Sequence, residues 1–126
     1  MSSLKRPITG DVLFHHLKRD QLTLDTALLD AHGRTARTLV KEGPLRLTLM
    51  ALARDGELPE HRADGPVSIH LLQGDAVFTA LSMEYPLTAG EVLVFAKGVP
   101  HAARSAGGCV FLLTVVHTEH DPSPVK

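Results

Sequence analysis

The chain has few of the residues on which several common kinds of site depend. Its 126 residues include no tryptophan, one tyrosine and four phenylalanines, so stacking platforms for sugars or bases are poorly supplied. Its one cysteine, Cys109, excludes an internal disulfide, and the apolar run CVFLLTVV around it favours a buried, inert thiol. Glycine loops for phosphates, nucleophile elbows and paired-cysteine metal motifs are also missing, which argues against nucleotide-binding and hydrolase functions.

The chain also lacks an excess of either charge and any long apolar run. Thirteen Lys and Arg against fourteen Asp and Glu give a formal net charge of -1, with both signs scattered. Because a nucleic-acid surface needs a clustered basic face, we expect no nucleic-acid partner. No run approaches the length of a membrane span, and MSSLKRPITGDV lacks the apolar core of a signal peptide. We therefore expect a cytoplasmic protein without membrane association.

What the chain does have, from Thr35 onward, is a series of short apolar or alternating runs separated by turn residues. This pattern is typical of an antiparallel sandwich or barrel, and the length fits one domain. Strands are predicted at 45–52, 67–73, 75–80, 83–87, 91–95 and 109–116, and turns at 55–56, 64–66, 73–75, 89–90 and 107–108. Alternation groups Leu45, Leu47 and Leu49 on one face of their strand, and Val67, Ile69 and Leu71 on one face of theirs.

The first 33 residues depart from this pattern. Residues 10–19 are predicted as a short helix capped by Thr9, and residues 22–29 as a helix or an edge strand. The chain is thus divided into an N-terminal extension (1–33), a barrel domain (34–116) and a polar C-terminal tail (117–126). We expect the extension to pack outside the barrel or to exchange with a partner. Exposed sheet edges and apolar outer faces predict a homodimer.

Two segments combine glycines with a histidine, GELPEHRADGPVSIHLLQGD from Gly56 and GEVLVFAKGVPHAARS from Gly90. Together they resemble the two-motif signature of the cupin superfamily, over about residues 34–116. The resemblance implies an all-β fold, the double-stranded β-helix or jelly-roll barrel. Closer still, the chain is similar to small single-domain cupins for which no activity is settled.

The resemblance also implies a metal site, of which this chain keeps part. His61 and His101 stand at metal-ligand positions, but Ala63 replaces a histidine and Val67 replaces a glutamate. Strand parity directs His70 to the opposite face from Val67. A divalent transition metal such as zinc, iron, manganese or nickel would be held weakly by two imidazoles.

Two functions remain open. The first is small-molecule binding in the barrel cavity, with His61 and His101 as polar anchors and an apolar lining of Leu47, Leu49, Val67, Ile69, Phe95, Leu112 and Val115. The alternative is a metal-dependent enzyme of the dioxygenase or isomerase type that uses the same two histidines as ligands. Apolar residues at positions 63 and 67 favour binding. The other paired histidines are interpreted as surface residues: His15, His16, His117 and His120.

Overall fold

Antiparallel strands form most of the regular structure in the described part of the chain. The computed structural model describes residues 11–118. Two short helices come first, α1 (Leu17–Gln21) and α2 (Thr26–His32). Eight strands follow: β1 (Arg34–Glu42), β2 (Leu45–Leu52), β3 (Gly56–His61), β4 (Val67–Ala80), β5 (Met83–Thr88), β6 (Val92–Phe95), β7 (His101–Ser105) and β8 (Cys109–Val116). Neither helix is long and apolar enough to cross a membrane.

The strands close into a jelly-roll barrel, which confirms the predicted fold class. The strand order is β1-β2-β8-β4-β7-β3, with β5 and β6 also paired to β4. Every pairing is antiparallel. The first part of β4 pairs with β6 and β8, and its second part pairs with β5 and β7. One strand therefore belongs to both sheets.

The turn predicted at residues 73–75 is wrong, because β4 runs unbroken through it. The register of β4 against β8 shifts between Leu71 and Gln73, which marks a β-bulge. Gly74 has φ +75, and a Cβ there would lie 2.2 Å from the Gly108 carbonyl oxygen. Gly74 has the positive φ predicted for this position, but it lies inside a strand and not in a turn.

The barrel interior is filled by side chains from both sheets. Phe78 and Phe111 meet edge to face, with ring centroids 5.5 Å apart, and neither is exposed. Val67, Ile69 and Leu71 lie on the interior face of β4, as predicted. Cys109 is buried, and that burial raises the pKa of its thiol, in keeping with an inert role.

The face assigned to β2 was wrong. Met50 and Leu52 belong to the interior cluster, together with Phe111, which pairs with Met50 across the strands. Leu49 pairs with Leu112, so alternation places both on the outer face of the sheet. Leu49 is nevertheless fully buried there. Neither of these leucines lines the cavity that the sequence predicted.

The described part of the N-terminal extension, residues 11–33, lies on the outside of the barrel. The imidazole of His15 is hydrogen-bonded to the Asp20 carboxylate (3.0 Å) and to the Leu39 carbonyl oxygen of β1 (3.1 Å). Gln73 Nε2 donates to Gln21 Oε1 (2.6 Å), which connects α1 to β4. These contacts hold residues 15–21 against the barrel.

The helix expected at residues 10–19 begins only at Leu17. His16 is its N-cap and accepts from the Arg19 amide (3.3 Å), while Thr9 and Gly10 lie outside the described residues. The segment predicted as helix or edge strand is helical: α2 is capped by Asp25 and ends at Gly33, whose φ is +78.

Candidate functional site

His61 and His101 lie side by side on neighbouring strands. His61 ends β3, His101 begins β7, and the two are register partners beyond a bulge. Their ring centroids are 4.3 Å apart, with the planes inclined at 63°. The main chain brings the loops that flank them together, since the Gly98 amide donates to the Ala63 carbonyl oxygen (3.0 Å).

Each of these imidazoles is oriented by its own backbone. His61 Nδ1 donates to the Pro59 carbonyl oxygen (3.0 Å), and His101 Nδ1 donates to the Val99 carbonyl oxygen (2.9 Å). A carbonyl oxygen can only accept, so each neutral ring carries its proton on Nδ1 and has an unprotonated Nε2. The two histidines thus share one tautomer and one mode of attachment.

His101 is buried in an environment that disfavours its charge. Only 2% of it is exposed, and Phe95 stacks on its ring at 4.5 Å with planes 10° apart. Burial lowers the pKa of His101 below its ordinary value; the hydrogen bond to Val99 opposes this effect and the neighbouring His61 adds to it. His101 is therefore a neutral imidazole at pH 7.

A cavity of about 340 Å³ opens beside the two histidines. Its aliphatic wall consists of Ala63, Val67, Leu113 and Val115, and its polar lining of His61, Arg62, Asp64, His101 and His117. Of the predicted lining residues, Val67 and Val115 contribute directly. Phe95 does not line the cavity but stacks on the ring of His101, and Ile69 is part of the buried core. Leu49 faces outward on β2 and does not take part.

His117, predicted to be a surface residue, lines this cavity. Its Nδ1 is hydrogen-bonded to the Asp64 carboxylate, although the two residues lie far apart in the sequence. The backbone holds the pair together: the Thr118 amide donates to the Asp64 carbonyl oxygen (3.1 Å), and the Val116 amide to the Pro66 carbonyl oxygen (3.3 Å). His120, its predicted companion, lies outside the described residues.

Gly65 makes this contact possible. A Cβ at Gly65 would lie 1.6 Å from the Val116 carbonyl oxygen and 3.2 Å from the Thr118 amide nitrogen. Only glycine allows the loop after β3 to approach the end of β8 so closely. The turn at residues 64–66 was predicted from the sequence, but its contact with β8 was not.

The side chains near His61 and His101 do not complete a metal centre. Within residues 11–118 there is no group of three or more His, Cys, Asp or Glu side chains arranged to hold an ion. Two imidazoles satisfy half of a tetrahedral shell, and Ala63 and Val67 supply no ligand. The residues described therefore do not fit the metal site implied by the sequence resemblance.

A larger cavity, about 600 Å³, lies at the opposite end of β3 and β7. Its charged residues are Asp55, Glu57, Asp75 and Arg104, and Arg104 is also paired with Glu84 (3.1 Å). None of the predicted site residues lines it. Its three acidic residues are exposed, as carboxylates ordinarily are.

Solved structures provide the informative comparisons. No protein-family model matches the chain, and no curated protein is detectably similar. A conserved protein of unknown function from Streptococcus pyogenes is 29% identical, with a TM-score of 0.65, over 71% of this chain and 78% of the other. A cupin superfamily protein from Desulfitobacterium hafniense is 21% identical, with a TM-score of 0.65, over 67% and 77%.

The same fold also occurs in a much longer enzyme. Salicylate 1,2-dioxygenase from Pseudoaminobacter salicylatoxidans, solved with gentisate, has a TM-score of 0.73 and 14% identity. The likeness covers 81% of this chain but 32% of the dioxygenase. At this identity the likeness concerns the fold alone, since one fold hosts many functions.

Proposed function

This chain has the fold of the cupin superfamily, and from that premise we propose that it binds a small organic molecule in the cavity beside His61 and His101. The observation that carries the proposal is the convergence of these two imidazoles, 4.3 Å apart, on a cavity with an aliphatic wall. Binding sites for small molecules are commonly apolar cavities with a few oriented polar groups. About 340 Å³ is near the lower end of their usual size.

The polar groups of the site are oriented before any ligand arrives. Backbone carbonyls fix the rings of His61 and His101, and Phe95 packs against the second ring. Preorganised groups lose little conformational freedom on binding, so more of the contact energy contributes to affinity. A small ligand is therefore sufficient to make productive contacts.

A fragment screen followed by protein NMR tests this function. Fragments that bind should shift the methyl signals of Val67 and Val115, and His101→Ala should lower the affinity of those fragments. His70→Ala is the matched control, because His70 lies on the outer face of β4 opposite Leu112. Hits that shift only residues such as Thr88, in the larger cavity, would place binding elsewhere and contradict the proposal.

The competing function is a metal-dependent enzyme of the dioxygenase or isomerase type. One observation favours it: with both Nδ1 atoms bonded to carbonyls, His61 and His101 leave Nε2 free, which is how metal-binding imidazoles are commonly oriented. Metal analysis of protein purified without an affinity tag separates the two functions. We expect substoichiometric metal that a chelator removes; one chelator-resistant zinc, iron, manganese or nickel ion per chain would favour the enzyme.

A further inference from the structure

Three imidazoles line the proposed binding cavity, and each uses Nδ1 to contact an acceptor of the protein. The acceptors are the Pro59 carbonyl oxygen for His61, the Val99 carbonyl oxygen for His101 and the Asp64 carboxylate for His117. Because all these oxygens can only accept, each neutral ring must place its hydrogen on Nδ1. Its Nε2 then carries a lone pair and can only accept a hydrogen bond.

The remaining polar groups strengthen this bias toward acceptors. The Asp64 carboxylate is itself an acceptor, and Arg62, the charged donor among the lining residues, is exposed. Two main-chain amides next to the cavity, those of Gly98 and Thr118, already donate to the carbonyl oxygens of Ala63 and Asp64. The lining thus supplies hydrogen-bond acceptors beside an aliphatic wall.

We propose that the ligand is a small neutral molecule with an aliphatic body and at least two hydroxyl groups, which donate to Nε2 of His101 and Nε2 of His117. This inference rests on the proposed function and names its ligand class. A carboxylate ligand has no hydrogen to donate to the imidazole nitrogens and would be repelled by the Asp64 carboxylate, and an ammonium would lose its hydration beside the aliphatic wall. The aliphatic side chains of Val67, Leu113 and Val115 suit the body of such a molecule.

In this arrangement Asp64 is a positioning residue. It does not need to touch the ligand, because its carboxylate fixes which nitrogen of His117 carries the proton. The close approach at Gly65 and the backbone bonds from Val116 and Thr118 hold the carboxylate in place. By bonding to Nδ1, the Asp64 carboxylate orients the His117 ring and leaves Nε2 for the ligand.

The first test measures the tautomers directly. Long-range 1H–15N correlation spectra at pH 8 should show the Nδ1–H tautomer for His101 and His117 in the wild-type protein. Asp64→Asn should leave His101 unchanged but give His117 a mixture of tautomers, because an amide can donate as well as accept. The Nε2–H tautomer at either histidine of the wild-type protein would overturn the proposal.

The second test compares three probes of similar size by the methyl shifts of Val67 and Val115. We expect cis-cyclohexane-1,2-diol to bind, and cyclohexanecarboxylate and the dimethyl ether of the diol to bind at least tenfold more weakly. His117→Ala should lower the affinity for the diol by about three- to tenfold, the range expected for the loss of one neutral hydrogen bond. Asp64→Asn should have a smaller effect in the same direction.

Matched controls come from α2, where His32 and Asp30 are both exposed. His32→Ala and Asp30→Asn should leave binding of the diol unchanged. Equal or tighter binding of the carboxylate or the ether would overturn the ligand class. If none of the three probes shifts the methyls while fragments from the screen do, the ligand class is wrong and the binding function stands. If no fragment shifts them either, both proposals fail.

Discussion

Replacing Gly65 with alanine should separate the loop at residues 64–66 from the end of β8. The added Cβ would start 1.6 Å from the Val116 carbonyl oxygen, where real Cβ contacts stay beyond 3.0 Å, so the backbone must move by more than an ångström. The Val116 oxygen and the Thr118 nitrogen that this Cβ would approach belong to the main chain, so they cannot rotate away as a side chain could. The movement should break the hydrogen bonds from the Thr118 and Val116 amides and the contact between Asp64 and His117.

The expected cost follows from these three interactions. At about 0.5–1.5 kcal/mol for each hydrogen bond, the free energy of unfolding should fall by about 1.5–4.5 kcal/mol. Urea denaturation at one fixed protein concentration measures this change without interference from any association. The His117 imidazole signals should also shift, since its carboxylate partner would be displaced.

Gly107→Ala is the matched control for Gly65→Ala. No atom lies within 4 Å of a Cβ built at Gly107, and its φ is not in the positive range. Alanine there should leave stability unchanged or raise it by up to about 1 kcal/mol, because the unfolded chain loses freedom. If Gly65→Ala and Gly107→Ala unfold at the same urea concentration, the close approach at Gly65 does not hold this part of the barrel together.

Three further predictions concern other parts of the chain. Ser82→Gly should stabilise the protein by about 1 kcal/mol in thermal melts, because Ser82 has φ 65 in the turn between β4 and β5; an unchanged melting temperature would contradict this. Because the pKa of His101 is lowered in the folded state, unfolding free energy should fall as pH drops below the ordinary value of 6.5 and level off below the lowered pKa; His101→Gln should reduce this acid dependence, and an identical pH profile would refute the reasoning. We expect a homodimer in light scattering, since Phe14 and Val94 are 67% and 63% exposed; Phe14→Asp or Val94→Asp should weaken it, whereas a wild-type monomer at micromolar concentration would exclude it.

Much of the strand pattern was accessible from sequence because alternation and turn residues are local signals. The strand at 109–116 was predicted with the bounds it has, and 83–87 and 91–95 each differ from β5 and β6 by one residue. Alternation does not reveal which face of a strand is inside, however. On β2 both faces carry large apolar residues, and only the pairing of Met50 with Phe111 shows that Leu49 faces outward.

The candidate site divides in a similar way. His61 and His101 could be recognised because each stands in a glycine-containing motif, and the structure brings them together; their role as ligands stays a prediction. The contact between Asp64 and His117 could not be recognised, because it depends on the register of β4 against β8. The one local signal was the glycine after Asp64, which predicts a turn but not the strand that the turn approaches.

The sharing of β4 by both sheets determines how the molecule can open. Pulling the sheets apart would require β4 to lose partners on both sides, so the β4 amides bonded to β7 and β8 should exchange with solvent only on global unfolding. β5 and β6, by contrast, pair only with β4 among the described strands, and each can detach while the rest of the barrel persists. β6 carries Phe95, so the ring that stacks on His101 lies in one of the most easily opened parts of the barrel. Transient detachment of β6 would therefore widen the cavity.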